Sequence, residues 1–334
     1  MAPVHTRPHK ALFPLLRRLS DGRFHSGEAL AQSFGLSRAS IFNALAQAES
    51  MGLVIHAVRG RGYRMPHPVE WLDGEIVGRH LGRHAASYAI HILDSVDSTN
   101  NALMAAALAG AADGTLFCVE HQHAGKGRRG RQWHSVVGGS LTFSLLWRFE
   151  TGLQSLAGLS LAVGLAIARA VNRHSHHVAR LKWPNDVLVD YRKLGGILVE
   201  VQGDMHGSAF AIVGVGLNCR LGDAQREGVD QAVVDLQEMG VAIGRNQLLA
   251  DCLLELQRVV DIFRERGFAA LRDEWMALDA YAGKTVTLAL PDARRVHGVA
   301  AGVDGTGAFL LRDAGAATTA FSGGEISLRL GTVR

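Results

Sequence analysis

Gly125-Lys126-Gly127-Arg128-Arg129-Gly130-Arg131-Gln132-Trp133-His134-Ser135 sets three glycines among four cations and follows them with a tryptophan. Glycine lets successive backbone N–H groups turn inward and approach a ligand closely, which makes an anion-binding nest. Arginine adds charge in a planar fork that matches phosphate or carboxylate. Like charges this close repel, so the run is expected to settle when an anion neutralises it. It is not the GxxxxGK[ST] of a P-loop, nor is it read as a dinucleotide fingerprint. Taken alone it leaves a nucleotide site, a nucleic-acid patch and a solvated basic loop all open.

Outward from that run, 334 residues exceed one average domain, and 48% hydrophobic content is enough for more than one core. Cys118, Cys219 and Cys252 are odd in number and far apart, without a CxxC pair. That favours reduced thiols in a cytoplasmic protein over a disulfide framework or a zinc site, and no metal ligand set is read. No apolar leader or uninterrupted span of membrane length is seen, so no membrane partner is expected; Leu156–Val171 reads as a buried helix. Charge is asymmetric. Residues 1–70 hold nine Lys/Arg against four Asp/Glu, while the remainder holds 26 against 27. A basic N-terminal segment points to nucleic acid.

The pattern there is helical over Leu12–Leu19, then Ser26 offers an N-cap for Gly27–Phe34, with a turn at Gly35. Ser37 caps a longer helix to about Met51, with Ile41, Leu45 and Ala48 on one face and Gly52 closing it. Leu53–Val58 and Tyr63–Met65 read as strands around Arg59-Gly60-Arg61-Gly62. Two helices and an arginine-tipped hairpin make a winged helix-turn-helix. Its candidate DNA contacts are Arg38, Ser40, Asn43 and Gln47 on the helix and Arg59 and Arg61 on the wing. Asn and Gln can read adenine edges, but the helix holds few phosphate clamps. A small packing domain that never touches DNA stays open.

Pro66 and Pro68 mark a boundary, and Trp71–Leu81 reads as a helix. Strand Ala89–Leu93 leads to Asp97-Ser98-Thr99-Asn100 at the start of a helix, where these side chains either cap it or bind a polar ligand. Thr115–Glu120 is a strand that delivers Gln122 to the glycine–arginine run, and Ser140–Phe149 is another. Lys182-Trp183-Pro184-Asn185-Asp186 reads as a turn between strands, and turn chemistry alone would explain Pro184 and Asn185. Lys193 precedes a buried strand within Lys193–Glu200, and Ala211–Asn218 follows. Gln247–Arg266 is an amphipathic helix, with another through about Ala282. From Lys284 short alternating strands, ending in Gly323–Arg329, suggest a small barrel.

Together, the glycine–arginine loop, Asp97–Asn100, Lys182–Asp186, Lys193–Glu200, Gly214–Asn218 and Gly323–Arg329 resemble biotin protein ligases, specifically the bifunctional type that also represses the biotin operon. The resemblance spans essentially the whole chain in order. It implies a mixed α/β (α+β) chain of three domains: a winged helix-turn-helix (1–67), a mixed-sheet ligase domain of the biotin/lipoate type (68–283) and an SH3-like β-barrel (284–334). It implies that biotin attacks ATP, in the presence of Mg²⁺, to give biotinyl-5′-AMP. A lysine of the biotin carboxyl carrier protein of acetyl-CoA carboxylase then takes the biotinyl group. Residues matching biotin contacts are Ser98, Thr99, Asn100, Gln122, Lys126, Gly127, Arg128 and Lys193. Those on the ATP or adenylate side are Arg128, Arg131, Trp133, Asn185, Asp186 and Asn218. Lys193 and Arg128 are the expected catalytic residues; the nucleophiles belong to the substrates. Operator DNA and an adenylate-bound homodimer are the further partners implied.

Two departures stand out. Lys126 takes a place where the family often has arginine. Ala224–Leu236, which should cover the adenine, holds no aromatic, and Val233 stands near the place where relatives can stack a tryptophan, so weaker retention of the adenylate is expected. A ligase with a merely structural N-terminal domain, a non-catalytic biotin sensor and a lipoate ligase are the alternatives. The Lys-Trp-Pro-Asn-Asp and Gly-Arg runs favour biotin over lipoate, and Lys193 with the full loop disfavours the sensor.

Overall fold

The structure, a computed structural model, describes residues 9–51, 53–227, 231–290, 294–322 and 327–330. Helices α1 (Leu12–Leu19), α2 (Gly27–Phe34) and α3 (Arg38–Ser50) precede the hairpin β1 (His56–Val58) and β2 (Gly62–Arg64). Local chemistry sets these ends. Ser26 Oγ accepts the Ala29 N–H, and Gly35 leaves α2 in the left-handed region at φ 61°. Ser37 Oγ accepts from Ser40 N at 3.0 Å. Ile41, Leu45 and Ala48 are buried as their spacing requires. The Gly52 cap lies outside the described residues. The first wing strand is shorter than Leu53–Val58, because the ladder spans only His56–Val58 against Gly62–Arg64, while Leu53 and Ile55 turn into the core instead.

The central domain runs α4 (Gly74–Leu81), β3 (Ala89–Val96), α5 (Thr99–Leu108), β4 (Thr115–Gln122), β5 (Ser140–Phe149), α6 (Leu159–Asn172), β6 (Arg180–Lys182), β7 (Asp186–Val189), β8 (Arg192–Gly203), β9 (Ala209–Asn218), α7 (Asp223–Glu227), α8 (Arg245–Arg266) and α9 (Arg272–Leu278). The seven strands form one sheet in the order β3-β4-β5-β9-β8-β7-β6. Only β3–β4 is parallel. The 153–172 stretch is long and apolar enough to cross a membrane, yet α6 buries both sides of itself in the core cluster shared with the sheet and α8. On the other sheet face α5 packs Leu103 and Ala107 against Leu146 and Ile212.

Two expected helices are shorter. The first starts at Gly74 because Asp73 caps it, accepting from Glu75 N and Ile76 N at 2.8 and 3.0 Å. The last ends at Leu278, where the chain joins β6 instead: Ala280 N donates to Leu181 O at 2.8 Å. Asp279 at that corner is buried, and burial pushes its carboxyl up to about 6. Its Oδ2 has no partner among the described residues. A raised folded value means its ionisation is resisted, so stability is lost as pH rises through about 6. Asp279→Asn should therefore gain up to about 3 kcal/mol at pH 7 and little near pH 4. Urea titrations at the two pH values check this.

After α9 come β10 (Thr285–Ala289), β11 (Arg295–Val303), β12 (Phe309–Arg312), β13 (Thr318–Phe321) and β14 (Ser327–Leu330), an antiparallel sheet in the order β13-β12-β11-β10-β14. Residues 323–326 of the Gly-Gly-Glu-Ile run lie outside the described residues. Cys118, Cys219 and Cys252 are free, and burial pushes all three thiols up, Cys219 to about 12. Cys118 and Cys252 are buried and Cys219 is half-buried; a thiol that burial keeps protonated is a poor nucleophile.

The N-terminal domain is fastened to the central one. Arg17 pairs with Asp94 and lies 4.7 Å over the Trp71 ring, whose Nε1 donates to Ser20 Oγ at 2.9 Å. Beneath the connecting segment, buried Arg245 pairs with Glu120 at 2.9 Å, and Glu120 accepts Leu72 N–H at 2.7 Å. Val137, two residues past the glycine–arginine run, is 1% exposed inside the N-terminal core.

Candidate active site

Five strands (β4, β5, β7, β8 and β9), the start of α5, the glycine–arginine loop, α7, and Leu221, Gln231 and Val233 line a cavity of about 440 Å³. Its lining brings together all the residues expected to touch biotin or the adenylate: Ser98, Thr99, Asn100, Gln122, Lys126, Gly127, Arg128, Arg131, Trp133, Asn185, Asp186, Lys193 and Asn218. Of the four cations in the loop, Arg129 alone is not among the lining residues.

The loop is a short hairpin. Trp133 N donates to Gly125 O at 2.9 Å and Gly127 N to Arg131 O at 2.7 Å. Gly125, Gly127 and Gly130 do stand at GxGxxG spacing after β4, but the chain returns on itself and opens no α-helix, so the run is no dinucleotide fingerprint. Trp133 anchors it: the indole Nε1 donates to Thr142 Oγ1 at 3.2 Å. The ring lies so close to β9 that a Cβ at Gly216 would stand 2.3 Å from it.

At one end of the cavity Ser98, Thr99 and Asn100 are 2–3% exposed, and Ser98 makes no side-chain capping bond. Gln122 does the capping, its Oε1 accepting from Thr99 N at 2.6 Å and from Thr99 Oγ1 at 3.0 Å. That leaves the Gln122 NH₂ group as its donor. Asn100 Nδ2 donates to Glu200 Oε2 at 2.7 Å and Leu198 O at 3.2 Å. Its Oδ1 accepts from Ser144 Oγ at 2.6 Å. Asn100 is thus a braced wall rather than a free donor. Helix capping alone does not account for these residues.

At the other end Lys193 Nζ meets Asp186 Oδ1 at 2.7 Å, the two side chains 16% and 11% exposed. A surface lysine is ruled out. A β-bulge between β7 and β8 sets Lys193 opposite Leu188 and Gly195 opposite Val187, and Lys193 lies across Gly196, where a Cβ would come within 3.2 Å of its side chain. The 231–236 segment runs beside it: Lys193 N donates to Ala232 O at 2.8 Å and Val234 N to Lys193 O at 3.0 Å. Asn218 Nδ2 spends its hydrogens on Lys193 O and Val234 O, and Asn185 Nδ2 donates to Ile197 O at 2.8 Å. Asp186 is the sole carboxylate among the lining residues.

Sequence reading missed the layer behind the pocket. Ser140, Thr142 and Ser144 form a buried polar stripe on one face of β5, and bond Val136 N, Trp133 and Asn100 respectively. Their period of two within an apolar strand was the available signal. Glu200 behind Asn100 and Gly214 beneath it were also missed.

In the N-terminal domain Arg38 and Asn43 lie on the open face of α3 and Arg59 and Arg61 on the wing, all exposed. Ser40 and Gln47 are half-buried: Ser40 Oγ bonds Ser37 Oγ at 2.9 Å, and Gln47 Oε1 accepts from His9 N at 2.8 Å. Phe42, not among the expected contacts, is 60% exposed.

Comparison with known proteins places these features. The biotin/lipoate A/B protein ligase family matches residues 92–218, a helix-turn-helix domain matches 12–64, and the biotin protein ligase C-terminal domain matches 281–329. The bifunctional ligase/repressor BirA of Escherichia coli (strain K12) is 35% identical, with 94% of this chain and 96% of that protein covered. Its Bacillus subtilis (strain 168) namesake is 28% identical over 86% and 89%. The structure of biotin protein ligase from Aquifex aeolicus in complex with biotin and ATP superposes with a TM-score of 0.63 at 26% identity, covering 72% of this chain and 99% of that one. The chain therefore belongs to the biotin protein ligase family, in its bifunctional ligase/repressor branch.

Proposed function

We infer that this chain is an ATP-dependent biotin protein ligase that forms biotinyl-5′-AMP and transfers the biotinyl group to a lysine of the biotin carboxyl carrier protein of acetyl-CoA carboxylase. The observation that carries the reading is the mostly buried Lys193–Asp186 pair lining one cavity together with Lys126, Arg128 and Arg131. Carboxylate and triphosphate repel, so catalysis is the neutralisation and alignment of two anions. The biotin carboxylate attacks the α-phosphorus and pyrophosphate leaves. Lys193 holds a positive charge where the carboxylate and the α-phosphate oxygens meet, and Arg128 closes the loop over the mixed anhydride. The carrier lysine then attacks the acyl carbon and AMP departs.

Asn185 and Asn218, whose nitrogens are committed to main-chain carbonyls, each keep Oδ1 to accept from the amino group of adenine. Mg²⁺ would come with the nucleotide, held by phosphate oxygens and water; Asp186, the one carboxylate among the lining residues, is already paired with Lys193 and Lys182. Bound there, it would add charge neutralisation on the phosphates.

Val233 lines the cavity beside Lys193 and offers no ring to stack on adenine. Val233→Trp should slow release of biotinyl-5′-AMP about tenfold, since one base stacked on an aromatic contributes about 1–3 kcal/mol. Stopped-flow release of the adenylate reads this, and an unchanged rate would remove the account.

The protein also represses biotin genes in the cytoplasm with the adenylate as corepressor, binding operator half-sites as a homodimer. The helix-turn-helix, its arginine-tipped wing and the basic N-terminal 70 residues support this. The engaged Ser40 and Gln47 favour the rival, a ligase with a structural N-terminal domain. Titration of biotin-gene promoter DNA with and without biotin and ATP, with carrier ligation followed in parallel, separates them. Adenylate-dependent binding with a steep salt slope establishes repression. Full ligation with weak, biotin-independent binding leaves the ligase alone.

A further inference from the structure

We propose that Phe42 reads thymine: its ring meets the C5-methyl group of a T in the major groove and sets an A·T preference in the operator half-site. The proposal rests on the operator-binding reading above. Phe42 is the fifth residue of α3, and in helix-turn-helix proteins the first turns of the second helix reach base edges. It is 60% exposed, although the N-terminal core is formed by the opposite face of the same helix, Ile41, Ala44, Leu45 and Ala48. Arg38 and Ala46 stand one turn to either side of it and Ala39 and Asn43 beside it, all exposed. With Ala39 and Ala46 its ring makes the apolar centre of that exposed helix face.

The charge around it selects the occupant. No acidic residue falls between Arg38 and Ala48, and the wing brings exposed Arg59 and Arg61, Arg61 stacked 4.1 Å over the Phe24 ring. An apolar centre rimmed by cations fits a duplex whose phosphates take the rim and whose thymine methyl takes the centre. Ser40 and Gln47 are held by bonds within the domain, so readout concentrates on Phe42 with Asn43. Asn43 supplies the adenine side of the same preference.

The test uses full-length protein with biotin and ATP. Duplexes are selected from a randomised pool, and each thymine of the winner is then replaced singly by deoxyuridine, which removes only the methyl. Wild type should lose about fivefold in affinity at one thymine per half-site. Phe42→Ala should lose affinity for the parent duplex and respond less than twofold to that replacement. Phe42→Leu, still apolar, should keep part of the response. Equal sensitivity of wild type and Phe42→Ala at every thymine, or none in wild type, overturns the proposal. Recovery of no specific duplex at all overturns the operator reading itself.

Discussion

Lys193→Ala is expected to lower the rate of adenylate formation by about 10²–10³-fold, the usual loss when a preorganised charge-stabilising group is removed. The reason lies in its partner. Lys193 and Asp186 are mostly buried and 2.7 Å apart, so deleting the ammonium leaves that carboxylate only the more distant Lys182, 4.0 Å away, where two further anions must bind. The loss then exceeds a missing attraction, because the less well offset Asp186 charge also repels the incoming anions. Asp186→Asn in the same chain should recover part of the loss, because it removes that residual charge. Pyrophosphate release with saturating biotin and ATP is the measurement. A rate within twofold of wild type would remove Lys193 from the chemistry, and a double variant no faster than Lys193→Ala would remove the repulsion argument.

Much of the fold could be read from spacing and end signals. Ser26, Gly35 and Ser37 are local devices that act through bonds within a few residues, and they bound α2 and α3 as expected. The misjudged ends were decided elsewhere in the chain. Leu53 and Ile55 alternate like a strand, but the partner hairpin offers only three residues. The helix expected through Ala282 yields at Asp279 because Leu181, nearly a hundred positions earlier, takes the next amide. No local pattern contains a tertiary contact of that kind.

The pocket residues were legible because glycine and arginine in a run, or lysine before a buried strand, are conspicuous. Their supports were not. Ser144 and Glu200 look like ordinary strand residues until Asn100 arrives between them from α5. Phe42 reads as core by type and is exposed only because Ile41 and Leu45 already fill the inner face. Val137 looks like a loop valine, yet it places the segment after the ligand loop inside the N-terminal core, next to the helices that would meet DNA.

Gly214→Ala is expected to raise the KM for biotin by about 100-fold while leaving the KM for ATP nearly unchanged. A Cβ at position 214 would stand 2.2 Å from Asn100 Oδ1 and 3.0 Å from its Cγ, so one of the two must move. Asn100 cannot move cheaply: it is 3% exposed and is held by Ser144 Oγ, Glu200 Oε2 and Leu198 O. Each buried hydrogen bond left broken costs about 1–3 kcal/mol. The strand has no easier escape, since β9 is paired along its length with β5 on one side and β8 on the other. The disturbance therefore falls on the Ser98–Asn100 end of the cavity, the proposed seat of the biotin head, and spares the Lys193–Asp186 end. Adding Asn100→Ala to Gly214→Ala removes the obstructing amide and should return part of the biotin affinity. Steady-state KM values for both substrates in the single and double variants decide it. A biotin KM unchanged in Gly214→Ala would mean that the head sits elsewhere. If both variants lose biotin and ATP binding alike, the cause is a displaced sheet and not a blocked pocket.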